Sequence, residues 1–290
     1  MTTELCAPPR AVATGAAPVA EQEFSFAAAD FDRVRQLIYD RAGISLHEGK
    51  QAMVYSRLSR RLRDTGHRSF TSYLQWLQQP GGSADEWQEF VNCLTTNLTS
   101  FFREDHHFQE LTNDLKARTG GQPVRIWCNA ASTGEEPYSL AMTVTEALGA
   151  SASSARILAT DIDTKVLATA QRAIYPADAR GLSTQRLQKH MMRGKGANAG
   201  FMRVKPELAK MIEFRTFNLM ATSWSLGEPF DMVFCRNVMI YFDHDTQRKV
   251  LEHIHAVMKP GSLLFVGHSE NFTDSRDLFV LQGKTIYKRV

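Results

Sequence analysis

The chain has 290 residues and a mass of 32.6 kDa, with 43% hydrophobic residues, 22% charged residues and a formal net charge of +3. That length allows a sizeable core in two domains. So mild a charge gives no compositional case for nucleic-acid binding, and no apolar run reaches the roughly 18–20 residues of a bilayer span.

The first stretch, MTTELCAPPRAVATGAAPVAEQ, lacks the basic start and continuous apolar run of a secretory signal. Rich in Ala, Pro and Thr, residues 1–23 read as a disordered tail. Cys6, Cys93, Cys128 and Cys235 have no regular spacing, so they read as small reduced residues in a cytoplasmic protein.

Residues 24–92 read as a helical domain. Phe31, Val34 and Ile38 form one stripe, with Gly43 as the C-terminal stop. KQAMVYSRLSRRLR (50–63) places Val54, Leu58 and Leu62 at i, i+4, i+8 on a buried face and contains no acidic residue. Its Arg57, Arg60 and Arg61 then project outward, either as a solvated face or as a docking site for something acidic. SFTSYLQWLQQPGG and DEWQEFVNCL supply two more helices around a Pro-Gly-Gly break.

From residue 123 strands alternate with helices, which predicts an α/β parallel sheet. VRIWCNA, ARILATDID, MIEFRTFNL, FDMVFCRNV and SLLFVGHSE are the strand candidates, and VLQGKTIYKRV ends in a hairpin arm. EPYSLAMTVTEALGA, TKVLATAQRAIY and HDTQRKVLEHIHAVMKP read as helices, the last stopped at Pro260-Gly261. Glycines 194, 196 and 200 crowd a segment that interrupts this rhythm, so a small β insertion is expected at about 188–214.

NAASTGEE follows the first strand, where open α/β sheets bind ligands, and Asp161 ends the second, where an acid can accept hydrogen bonds from ribose hydroxyls. A dinucleotide loop would be GxGxxG, letting backbone approach a pyrophosphate at the helix N-terminus. Here Gly134 stands alone, and Glu135 and Glu136 would repel a phosphate. The pair suits a ligand with adenosine and cationic groups but no phosphate, as S-adenosylmethionine is. Acids in a first helical turn are also common dipole complements.

TNLTSFFRE (96–104), ASTGEEPYS (131–139), ATDID (159–163), FCRNVMIYF (234–242) and FVGHSENF (265–272) together resemble the CheR-type chemoreceptor glutamate O-methyltransferases. The resemblance spans about residues 25–288. It implies a class I, Rossmann-like methyltransferase sheet in residues 93–290, with a β subdomain insertion and an N-terminal all-helical domain. The implied activity is S-adenosylmethionine-dependent esterification of glutamates on the cytoplasmic helices of chemoreceptors, with S-adenosylhomocysteine as product. In some members the β subdomain docks a pentapeptide at the receptor C-terminus, which would engage Arg193, Gly194, Gly196 and Gly200 here.

Matched residue by residue, the resemblance assigns Asn97, Thr99, Arg103, Glu136, Asp161, Asn218, Leu219, Arg236 and Asn237 to the cofactor, and places Arg103 and Tyr241 nearest the transferred methyl. Asn129 departs from the pattern, standing where members often carry alanine or serine, and is large enough to crowd the loop. Adjacent His106 and His107 are expected to point apart on a helix, so no metal site is expected. The resemblance implies no nucleic acid and no membrane insertion. Two rivals stay open: a nucleic-acid methyltransferase using the arginine face, which salt-sensitive binding would favour, and a non-catalytic cofactor-binding adaptor.

Overall fold

The computed structural model describes residues 23–79, 83–118 and 123–290. The tail expected over 1–23 therefore lies, apart from Glu23, outside the described residues, as do Cys6 and the Pro-Gly-Gly break.

The N-terminal unit contains helices α1 (Ala28–Ala42), α2 (Gln51–Thr65), α3 (Phe70–Leu77) and α4 (Ala84–Leu94). Val34, Ile38, Val54, Leu58, Leu62, Phe70, Tyr73, Leu74 and Phe90 are sealed from solvent in its core. Each such aliphatic or aromatic side chain contributes about 1.5–3 kcal/mol relative to exposure. Helix α4 runs to Leu94, so the domain boundary expected at 92/93 falls inside a helix. Helix α5 (His106–Ala117), which the sequence reading did not mark, buries His107, Phe108, Leu111 and Leu115 against the next unit.

That unit opens with β1 (Arg125–Cys128), α6 (Glu135–Leu148), β2 (Arg156–Asp161) and α7 (Thr164–Arg172). Then come β3 (Ile174–Pro176), α8 (Thr184–His190), β4 (Met191–Arg193), β5 (Phe201–Val204) and the single turn α9 (Pro206–Ala209). The chain closes through β6 (Ile212–Thr216), β7 (Phe230–Cys235), α10 (His244–Val257), β8 (Met258–Val266), β9 (Phe279–Gly283) and β10 (Ile286–Arg289).

Seven strands form one sheet in the order β6-β2-β1-β7-β8-β10-β9. The first five are parallel, and β10 and β9 add an antiparallel edge. The order reverses between β1 and β7, so a crevice opens there beyond the carboxyl ends of the strands. Cys128 and Cys235 end these two strands as free, buried thiols.

Two expectations need correcting. The small antiparallel sheet has the order β3-β5-β4, so it begins at Ile174 and ends at Val204, while Ile212–Thr216 belongs to the main sheet. Tyr175, the inward residue of β3, packs edge-on against Phe101 and Tyr138, which draws this strand out of the predicted helix. Helix α10 ends at Val257, and Pro260 and Gly261 lie within β8, at the end where Pro costs least.

The two units are sewn together around the crevice. Ser45 N–H donates to the Tyr241 carbonyl at 2.8 Å, Asn218 Nδ2 to the Arg41 carbonyl at 2.7 Å, and Gln88 Nε2 to the Ile162 carbonyl at 2.8 Å. Tyr39 donates its hydroxyl to Asp243, the N-cap of α10, at 2.6 Å.

Candidate cofactor and acceptor site

A cavity of about 380 Å³ fills the crevice. Asn97, Thr99, Arg103, Glu136, Asp161, Asn218, Leu219, Arg236, Asn237 and Tyr241 all line it, though they come from segments far apart in sequence. Ile44, His47, Lys50 and Met53 of the helical unit close the other side. Ile44 and His47 follow the stop at Gly43 and carry no ligand signal in the sequence, while Lys50 and Met53 belong to the basic stretch expected to be a solvated face or a docking site.

Asp161 ends β2 and is buried. Its Oδ2 accepts the Ser132 N–H at 2.8 Å and its Oδ1 the Asp163 N–H at 2.9 Å, leaving further lone pairs. Burial pushes its pKa up to about 6 against the pull of these backbone donors. Asp163 was missed as a site-building residue, although its place before TKVLATA is a helix N-cap signal. Its Oδ1 accepts the Lys165 and Val166 N–H groups, and its Oδ2 accepts Thr95 Oγ1 at 2.7 Å and Asn97 Nδ2 at 2.8 Å. One carboxylate thus caps α7 and pins the TNLT segment over the cavity.

The two glutamates of the loop have different fates. Glu136 lines the cavity, but its carboxylate is paired with the fully buried guanidinium of Arg236, and Cys128 Sγ donates to it at 3.3 Å. Glu135 does not line the cavity; its Oε2 accepts the Thr133 hydroxyl at 2.6 Å, and burial raises its pKa. The sequence suggests that both carboxylates at this helix start suit a ligand with cationic groups; in the structure only Glu136 lines the cavity, and its charge is balanced by Arg236.

Gly134 also proves to have a packing reason. It takes φ +99°, and a Cβ there would come within 2.6 Å of the Tyr175 hydroxyl and 2.8 Å of the Ala170 Cβ. Asn129, the departure from the family pattern, is buried in the cavity wall, and neither of its amide atoms has a hydrogen-bond partner among the described residues.

Arg103 donates from Nη1 to the Leu98 carbonyl at 3.0 Å, and Arg236 donates from Nη2 to the Arg103 carbonyl. Arg236 also lies 3.6 Å from Glu104 Oε1. Arg236 and a hydrogen bond from His268 hold the Glu104 carboxyl below its usual range despite burial. His106 and His107 do not point apart: their rings lie 4.1 Å centre to centre, and Glu104, His106 and His107 bring ligand atoms within 4.8 Å of one another. Burial and the nearby Arg236 push His107 down to about 3, so it is neutral. The guanidinium beside Glu104 already places one cation at this cluster, which disfavours a second.

Of the docking arginines, Arg60 is exposed. Arg61 is not: it is largely buried, with Nη2 2.6 Å from Glu86 Oε2 and Nε 3.0 Å from Glu86 Oε1, and Tyr73 donates to the same carboxylate at 2.8 Å. It is a core ion pair of the helical unit. Arg57 is half-buried and donates to the Cys93 and Thr95 carbonyls at 3.3 and 2.6 Å. Arg193 is exposed at the end of β4. Gly196 and Gly200 take φ +56° and +89°, and a Cβ at Gly194 would overlap the Asn198 carbonyl, so the β4–β5 connection itself requires these glycines.

The residues fit an adenosine-bearing ligand. The cavity volume is in the range of about 300–1,000 Å³ typical of such pockets. Asp161 offers acceptors for hydroxyls beside the apolar walls of Ile162, Phe217 and Leu219. With the five-strand parallel core and its antiparallel edge, the fold and crevice define a class I S-adenosylmethionine-binding methyltransferase. Residues 97–288 match the family described as CheR methyltransferase, SAM binding domain, and residues 29–95 match CheR methyltransferase, all-alpha domain. The chain is 50% identical over 268 residues to a chemotaxis protein methyltransferase of Klebsiella aerogenes, covering 92% of this chain and 91% of that one. It is 48% identical over 260 residues to its counterpart in Escherichia coli K12, covering 89% and 90%. It is also 48% identical to chemotaxis protein methyltransferase 2 of Pseudomonas aeruginosa, covering 92% and 95%. The chain belongs to the CheR methyltransferase family, and S-adenosylmethionine is its cofactor. Among the described residues no helix is long and apolar enough to cross a membrane.

Proposed function

We propose that the protein methylates glutamate side chains on the cytoplasmic helices of chemoreceptors, working in the cytoplasm and yielding glutamate methyl esters. The observation that carries this reading is the cavity mouth, where Arg103 and Tyr241 both line a site closed by two units. Arg103 is held there by its bond to Leu98, while the Tyr241 hydroxyl has no side-chain or backbone partner among the described residues.

When bound, S-adenosylmethionine supplies an electrophilic sulfonium methyl. Asp161 would accept hydrogen bonds from its ribose hydroxyls, Asn218 and Leu219 would lie by its adenine, and Asn97, Thr99, Glu136, Arg236 and Asn237 would hold the rest of the molecule. A glutamate acceptor, with a reference pKa of about 4.3, arrives ionised and needs no strong general base. Catalysis then rests on alignment and on replacing the carboxylate's water with fixed dipoles. Arg103 orients one carboxylate oxygen through a charge-assisted hydrogen bond. A single contact suits the role, because a bidentate clamp would blunt the nucleophile. Tyr241 positions the same carboxylate through its hydroxyl and walls the methyl site.

Exposed Arg60, with Lys50 and His47 at the mouth, favours an acidic helical substrate. The β subdomain supports a second contact with a receptor C-terminal pentapeptide. Its register sets Ile174, Arg203 and Met192 in one row across the three strands, and Phe201 joins them on the exposed face. With Arg203 in that row this gives an apolar and basic surface for a short anionic peptide, while Arg193 pairs with Met202 in the alternate row and adds charge only from the strand end.

Peptide mass mapping of a chemoreceptor cytoplasmic fragment after incubation with protein and S-adenosylmethionine tests the reading. Methyl groups on glutamates support it. Methylation of lysines or of added RNA, with unmodified glutamates, overturns it.

A further inference from the structure

Glu270 belongs to the FVGHSENF segment, to which the proposed chemistry gives no task. It is 4% exposed, and its carboxylate is filled by four backbone N–H groups. Oε1 accepts those of Val238 at 3.0 Å and Met239 at 2.8 Å; Oε2 accepts those of Asn237 at 3.0 Å and Gly267 at 2.6 Å. Three successive N–H groups converging on one anion make a backbone nest, here occupied by the protein's own side chain.

The nest forms where the chain leaves β7 for the cavity. Asn237 takes φ +58°, a conformation that a non-glycine residue keeps only when its surroundings enforce it. The next residues form a short 3-10 turn, Met239–Tyr241, which delivers Tyr241 to the cavity. Packing at the anchor is close: a Cβ on Gly267 would lie 2.4 Å from Asn237 Nδ2 and 3.0 Å from Glu270 Oε2. Burial raises the Glu270 pKa while the four backbone donors pull it down.

We infer that Glu270 is a positioning residue for methyl transfer, fixing the Arg236–Tyr241 loop so that the Tyr241 hydroxyl meets the acceptor carboxylate. It touches neither ligand. A glutamine cannot replace it, because its amide nitrogen would face backbone N–H groups. The inference rests on the reading of Tyr241 given above.

The test is a double-mutant cycle on receptor methylation, using Glu270→Gln and Tyr241→Phe with S-adenosylhomocysteine affinity measured alongside. Glu270→Gln is expected to lower kcat by on the order of 100-fold, as a small misplacement does, and to weaken S-adenosylhomocysteine much less. Tyr241→Phe, costly in the wild-type background, should then cost little more. Equal fold losses in both backgrounds, multiplying to within about twofold, would overturn the positioning role while leaving Tyr241 its own. A Tyr241→Phe enzyme with full turnover would instead sink the reading of Tyr241, and this role with it. If Glu270→Gln does not fold, Gly267→Ala disturbs the same anchor from the other side, and the cycle is run with it under the same criteria.

Discussion

Arg57 donates a guanidinium N–H to the Thr95 carbonyl at 2.6 Å, tying α2 to the residues that start the cofactor cavity. The basic face of α2 is therefore not one surface with one task. Arg60→Glu should weaken receptor methylation several-fold, more at low salt than at high, with S-adenosylhomocysteine affinity unchanged. Arg57→Glu should lower both, because it releases the segment that carries Asn97. Parallel methylation assays and calorimetric titrations of the two variants check this, and equal behaviour would remove the distinction.

Arg61 shares α2 but belongs to a buried triad with Glu86 and Tyr73. Removing one partner of a buried pair typically costs roughly 3–5 kcal/mol. Arg61→Ala should show that loss in urea unfolding, with no selective effect on receptor binding by the molecules that remain folded.

The Glu136–Arg236 pair sits in the site itself, with the guanidinium sealed from solvent. Arg236→Ala should destabilise by about 3–5 kcal/mol, since it strands Glu136 and withdraws a donor from the Arg103 carbonyl. Denaturant unfolding of the variant measures this. A change below about 1 kcal/mol, the scale of surface pairs, would contradict the buried-pair account.

Asp161 gives a pH dependence whose sign can be worked out. Its folded-state pKa of about 6 lies above the ordinary carboxylate value, so the folded protein holds the proton more tightly than the unfolded chain. The contribution to stability is present at acid pH and fades as pH rises through about 6. Cofactor binding runs the other way, because ribose hydroxyls need the ionised acceptor. Affinity for S-adenosylhomocysteine should be flat above neutrality and fall as pH drops below about 6. Asp161→Asn should bind more weakly and lose that acid limb. Calorimetry across the pH range checks both.

Much of this was legible in the sequence because local signals and the final packing agree. Val54, Leu58 and Leu62 alternate at helical spacing and are all sealed in the core. Gly43, read as a stop, caps α1 in the left-handed conformation. The cavity residues were found through motifs, and the sheet brings them together at its switch point. What escaped depends on partners distant in the chain. Arg61 looked like its exposed neighbours because Glu86 lies twenty-five residues away. Helix α5 was passed over although Phe108, Leu111 and Leu115 carry a helical stripe. Strand β3 is only three residues long and continues straight from α7, so its pairing with β5 left no periodic trace. The partner of Glu136 could not be read locally because Arg236, the residue after β7, lies a hundred residues on.

The most direct measurement is the chemical nature of the bond formed. A chemoreceptor cytoplasmic fragment would be incubated with the protein and S-adenosylmethionine labelled in its methyl group, then treated with mild base. The account predicts label on the fragment that is released as volatile methanol, the mark of a carboxylate ester, and that is lost with Arg103→Ala. Label that survives base, or no label from a protein that binds S-adenosylhomocysteine, would contradict it.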